Sequence, residues 1–289
     1  MTLRFRLLNV FSVDGDPFSG NPLCVFEEAG SLDDAQLQAW ARQFNLSETT
    51  FITAADLTAA EADVRIFTAS YEMPFAGHPT LGTAHVVADL AAAGGARPAA
   101  VTLSMPAGRI PVERIEGGWR LRASAAVSRP LERSPAEVAA VLGIDDASVV
   151  VGGAHWVDAG VEQLIIELTD AGAVAACTPD VRGLHGQLSV PGREPQVYVW
   201  AWTGESTVTS RLFAASGSAL EEDPATGSAA ANLGSHLALS GRRGQQVTIS
   251  QGAQVGRPSR LDLAIDEEGT VFVGGRVTEV GSGTVAAGT

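Results

Sequence analysis

The sequence predicts an α+β protein built of two similar halves, each with its own core. Three observations point there. Short alternating segments bounded by turn residues alternate with a few helical ones. A chain of 289 residues is long enough for two domains of ordinary size. Motifs from the first half also return in the second. His78 and Asp223 stand 145 residues apart, as do Pro79 and Pro224, Gly82 and Gly227, and Thr83 and Ser228. RIFTAS from Arg65 matches RLFAAS from Arg211, and VTLS from Val101 matches VTIS from Val247, both at an offset of 146. Collinear matches at about half the chain length indicate an ancient duplication.

The elements follow in order. Residues 4–13 alternate as a first strand, and FSGNPLCVF (18–26) turns on Gly20-Asn21-Pro22 into a second. Ser31 and Asp34 open a helix as a variant capping box; Leu37, Trp40, Ala41 and Phe44 repeat at helical spacing up to Asn45. The β-branched run Thr49 to Thr53 forms a strand with Glu48 at its mouth, and residues 63–69 form another. A helix is expected from Pro79 to about Ala92, ended by Gly94 and Gly95. VTLSMPAGRIPVERI and GWRLRAS read as paired strands, and Ser134 caps a short helix with Pro135 at its first position. From Val149 the pattern restarts. VYVWAWTG (197–204) reads as a core strand apolar on both faces.

Composition narrows the function. A net charge of -14 with 19 dispersed basic residues argues against nucleic acid. Cys24 and Cys177 form no C-x-x-C pair and read as small buried hydrophobes. The start MTLRFRLLNVFSVDG reads as a strand rather than a signal peptide, and no apolar run is long enough for a bilayer, so a cytoplasmic protein without a membrane is expected. Five histidines without H-E-x-x-H spacing predict no metal site, and the lack of a P-loop lysine or a G-x-G-x-x-G predicts no nucleotide.

Chemistry concentrates on the two repeated motifs. Asp223 is a natural N-cap; His78, its counterpart at 145, is not, which marks it as functional. Gly82 and Gly227 would sit inside helices at a cost of ~0.5–1 kcal/mol, which calls for a close backbone approach. Helix starts offer unpaired N–H groups suited to a carboxylate, and their positive field should keep His78 neutral and Asp223 ionised. A proton carrier is then needed elsewhere. Glu48, among Leu46, Phe51 and Ile52, is the candidate acid/base, because desolvation raises a carboxyl pKa. Counting forward 146 reaches Glu194 in an unrelated context, so Glu48 is expected to have no twin.

FSGNPLCVF, NLSETTFI, EMPFAGHPTLGTA and EEDPATGSAA, in this order and spacing, resemble the phenazine-biosynthesis PhzF-like family over nearly the whole chain. The resemblance implies the diaminopimelate-epimerase fold: two pseudo-symmetric domains, each a curled, mostly antiparallel sheet wrapped around a central helix, with the active site in the cleft between them. The halves are expected at 1–125 and 126–275, with a C-terminal strand at about 276–289 returning to the first. It further implies a cofactor-independent isomerase, in which Glu48 moves a proton within a small carboxylate such as a dihydro-hydroxyanthranilate. His78 and Asp223 would orient the substrate, while Gly77, Gly227 and Ser228 would bind its carboxylate. A homodimer is implied as well. With no cysteine at either helix start, a two-thiol racemase is excluded. A non-catalytic binding protein and a racemase with non-thiol bases remain as alternatives.

Overall fold

The computed structural model describes residues 2–93 and 95–286. The chain divides into two compact units, 1–122 with 274–289, and 123–273. Each is described by itself.

In the first unit, β1 (Thr2–Val10) pairs antiparallel with β2 (Asn21–Phe26), which runs parallel to β3 (Glu48–Asp56). Next come β4 (Glu61–Phe67), antiparallel to β3, and the short β5 (Glu72–Met73). β6 (Ala100–Met105) lies parallel to β4 and is followed antiparallel by β7 (Gly108–Ile115) and β8 (Gly118–Arg122). The end of the last strand, β17 (Val271–Ala286), pairs with both β8 and β1 and closes the sheet into a ring. Inside it runs α2 (Gly77–Ala92), with Leu81, Ala84, Val86, Val87 and Ala88 buried. A helix buried over most of its length has to be enclosed, and the curled sheet does so. Outside the ring α1 (Asp34–Phe44) covers Phe26 and Phe51, whose rings stack at 4.9 Å.

Helix α1 is capped by Asp33 and Gln36, which form the reciprocal capping box, rather than by Ser31 and Asp34; its end at Asn45, in the left-handed region, is where the sequence put it. Helix α2 ends at Ala92 with Ala93 as its cap; Gly94 lies outside the described residues.

The second unit repeats the order. β9 (Val127–Pro130) flanks β10 (Val149–Asp158), which pairs antiparallel with β11 (Glu162–Leu168). β11 runs parallel to β12 (Gln196–Gly204), and β13 (Thr207–Ser216) and β14 (Ala219–Asp223) follow antiparallel. β15 (Gln245–Gln251) runs parallel to β13 and antiparallel to β16 (Ser259–Ile265), which turns into β17. The central helix is α6 (Gly227–Leu239). Where α1 covers the first sheet, α3 (Pro135–Leu142), α4 (Ala171–Ala176) and α5 (Val181–Gln187) cover the second, around Trp156, Leu164, Ile166 and Phe213. Ser134 and Glu137 cap α3 with Pro135 at its start, as the sequence predicts.

The ladders correct the expected offset. Arg65 faces Phe51 and Arg211 faces Val199, so the strands match at 146 for β4 and 148 for β3. Beyond them, Phe67 faces Glu72 and Phe213 faces Glu222, which makes Glu72 and Glu222 equivalent, 150 apart. The helices start 150 apart too, at Gly77 and Gly227. The β13–β14 hairpin is longer than β4–β5, and a shorter helical segment restores 146 at β15. His78 therefore corresponds to Ser228, Gly77 to Gly227, Gly82 to Asn232, and Met73 to Asp223. The matches at 145 are a coincidence of two Gly/Ala-rich helices.

Candidate active site

In the first unit Glu48 opens β3, and the chain turns from β5 into α2 so that His78 becomes its second residue. The N-cap is Ala76, without a side-chain bond, so His78 does not cap this helix. Pro79 fits inside the first turn because N–H groups there have no helical partner. Glu48 and His78 are 16% and 8% exposed, and His78 Nε2 lies 3.5 Å from Glu48 Oε2. Burial holds the His78 pKa down at about 3, against a hydrogen bond from the ring to the Pro22 carbonyl. Burial is thus what keeps His78 neutral. Since Nε2 makes no hydrogen bond, the donor to Pro22 is Nδ1. The ring is thereby fixed in the tautomer whose Nε2 lone pair faces Glu48. The segment FSGNP, which turns the chain into β2, sets that tautomer through Pro22.

In the second unit Asp223 ends β14 and lies outside α6, whose N-cap is Thr226. Pro224 follows it outside the helix, and the intervening loop carries Asp223 too far back to cap. Its carboxylate instead accepts the Thr226 hydroxyl, and its backbone carbonyl accepts Gln251 Nε2 at 2.8 Å. Gln251 also donates to Thr226 Oγ1 at 3.0 Å. Asp223 is held in a defined place as a result. Gly227 and Ser228 form the first turn of α6 and are half-buried, as Gly77 is in α2.

Two features escaped the sequence. First, each half has a bidentate pair that fixes the strand leading to its central helix: Arg65 with Glu72 at 2.7 and 2.6 Å, and Arg211 with Glu222 at 3.1 and 2.8 Å. The signal was present, because Glu72 and Glu222 each open the pattern E-x-P-x-x-G. Second, Glu48 does have a positional counterpart. Three residues before Phe51 and Val199 stand Glu48 and Gln196, so the second half carries an amide where the first carries the acid. Glu194, reached by counting 146, is two residues away and bonds Ser216.

The model of the phenazine biosynthesis-like family, PhzC–PhzF, matches residues 9–283. The chain belongs to this family. An uncharacterized isomerase of Pasteurella multocida is 36% identical, with 96% of this chain and 92% of that one covered. The trans-2,3-dihydro-3-hydroxyanthranilate isomerase of Pseudomonas chlororaphis is 34% identical over 93% and 95%. A crystal structure of a PhzF-family phenazine biosynthesis protein of Bacillus anthracis superposes with a TM-score of 0.82 at 20% identity, over 99% of both chains. The diaminopimelate-epimerase-like fold expected from the sequence is the fold found. With named isomerases matched over nearly its full length, this PhzF-family chain is an isomerase. No helix among the described residues is long and apolar enough to cross a membrane.

Proposed function

We propose that this PhzF-family isomerase moves a proton within a small carboxylate-bearing substrate of the dihydro-hydroxyanthranilate kind, without a cofactor, using Glu48 as its single acid/base. The observation that carries the reading is the Glu48–His78 pair. A largely buried carboxyl group sits 3.5 Å from an imidazole that cannot take a second proton near neutrality. Ionised, Glu48 takes a proton from a carbon next to the conjugated system, and the electron pair left behind enters that system. Protonated, Glu48 keeps the proton beside the His78 Nε2 lone pair until it returns it to a different carbon.

His78 and Asp223 orient the substrate's polar groups, and Ser228 with the N–H groups of Gly77 and Gly227 takes its carboxylate. Gln196 supports one base over two, because an amide at the position matching Glu48 cannot accept a proton at physiological pH. This favours proton transfer and return by one acid over racemisation by two. The resemblance also supports a cytoplasmic homodimer that acts on small molecules rather than nucleic acid or membrane.

The test is Glu48→Gln with trans-2,3-dihydro-3-hydroxyanthranilate in deuterated water. Turnover and deuterium incorporation should both disappear, while affinity for 3-hydroxyanthranilate stays within about tenfold of wild type. Turnover that survives the substitution would remove Glu48 from the role.

A further inference from the structure

Gln163, on β11, is 1% exposed, and Asn232, on α6, is fully buried. Their counterparts in the first unit are apolar or absent. Three residues before Phe26 and Ile166, which face Phe51 and Val199, stand Leu23 and Gln163. Asn232 corresponds to Gly82, where an added Cβ would meet Leu23 at 2.4 Å. The fold is thus built in one half with Leu and Gly, and in the other with two buried amides. Burying amides is costly unless every group is paired, so the fold alone gives no reason for them.

The hydrogen bonds can be assigned from the backbone outward. Asn232 Oδ1 accepts the Ala159 N–H at 2.9 Å and Asn232 Nδ2 donates to the Val161 carbonyl at 2.9 Å; neither backbone group can reverse its role. Nδ2 then also donates to Gln163 Oε1 at 2.8 Å, which fixes the orientation of the Gln163 amide. Both Gln163 N–H groups are therefore donors, one to Gln196 Oε1 at 2.8 Å and one to Ser228 Oγ at 3.1 Å. Ser228 must accept from Gln163. Among the described residues its hydroxyl makes no other hydrogen bond, so its own proton is directed to whatever else approaches.

We infer that Gln163, oriented by Asn232, is a positioning residue that occupies an acceptor site of Ser228 Oγ and so turns the Ser228 proton toward the substrate's carboxylate. This rests on the proposed role of Ser228 toward the substrate carboxylate.

The experiment measures affinity by calorimetry for 3-hydroxyanthranilate and for 2-aminophenol, the same ring without the carboxylate. Gln163→Glu would accept the Ser228 proton and reverse its direction. Gln163→Leu, the residue the first unit carries at this place, removes the control and guards against misfolding caused by a buried charge. Each should weaken 3-hydroxyanthranilate binding about tenfold or more and leave 2-aminophenol unchanged. In a Ser228→Ala background neither should weaken it further, a coupling that general loosening of the fold would not produce. If Ser228→Ala weakens 3-hydroxyanthranilate but the Gln163 variants do not, the positioning role is wrong. If Ser228→Ala has no effect, or 3-hydroxyanthranilate does not bind the wild type, the carboxylate role of Ser228 itself is wrong.

Discussion

Acid should loosen the first unit through His78 in particular. The unfolded chain binds a proton on this ring at its ordinary pKa of 6.5, while the folded chain does so only at about 3, because burial disfavours the charged ring. A depressed folded-state pKa means that the stabilisation is full above 6.5 and is lost as pH falls toward 3. Over that window the loss is ~1.4 kcal/mol per pH unit. From pH 8 to pH 5 the neutral ring therefore costs the fold about 2 kcal/mol. The ring is 8% exposed, so solvent screening does little to reduce this.

The comparison that isolates the effect is His78→Gln, which cannot titrate. Hydrogen exchange of the α2 amides, followed by mass spectrometry at pH 8 and pH 5, gives the opening free energy of the first unit in both proteins. The wild type should lose about 2 kcal/mol more than the variant over this range. His85 and His236, whose pKa values burial also lowers, to about 4, contribute equally to both proteins and cancel. Equal losses in wild type and variant would mean that His78 is not kept neutral by the fold, and the account of its tautomer would fail with it.

Two further outcomes follow from matched positions. The Arg211–Glu222 pair is 9% and 11% exposed and the Arg65–Glu72 pair 27% and 31%, so Glu222→Gln should cost about 3 kcal/mol in urea unfolding and Glu72→Gln under about 1; equal losses would refute the dependence on burial. Gly82→Ala should lower the melting temperature although alanine favours helix by up to ~1 kcal/mol, because its Cβ would lie 2.4 Å from Leu23 Cδ2 and 3.1 Å from Val10 Cγ2, an overpacking cost of about 1–3 kcal/mol.

Where the sequence was legible, local chemistry spoke unambiguously: alternation for the strands, Ser134-Pro135 for α3, and Leu37, Trp40, Ala41 and Phe44 at helical spacing for α1. Duplication was legible too, through Arg65 and Arg211. Its alignment was not, because compensating length changes on either side of the central helix left the flanking strands at 146 while shifting the helix starts to 150. A helix rich in Gly and Ala matches another such helix in several registers, so similarity alone could not choose among them. The acid that pairs with each arginine could have done so, since Glu72 and Glu222 both precede the proline by two residues. Gln163 and Asn232 were beyond reach for a different reason: a polar residue in an apolar strand or helix gives no sign of which neighbour satisfies it until the fold brings the two together.

Once the halves are aligned by their ladders, their differences follow one rule. At four matched positions the first unit has Glu48, His78, Leu23 and Gly82, and the second has Gln196, Ser228, Gln163 and Asn232. Only the first set holds groups whose protonation can change between pH 3 and pH 8. The second set keeps the same donors and acceptors throughout that range, because amides and hydroxyls do not titrate there. A duplicated scaffold has thus kept its shape while placing a carboxyl and an imidazole in one half and amides and a hydroxyl at the matching places of the other, the division that the proposed single acid calls for.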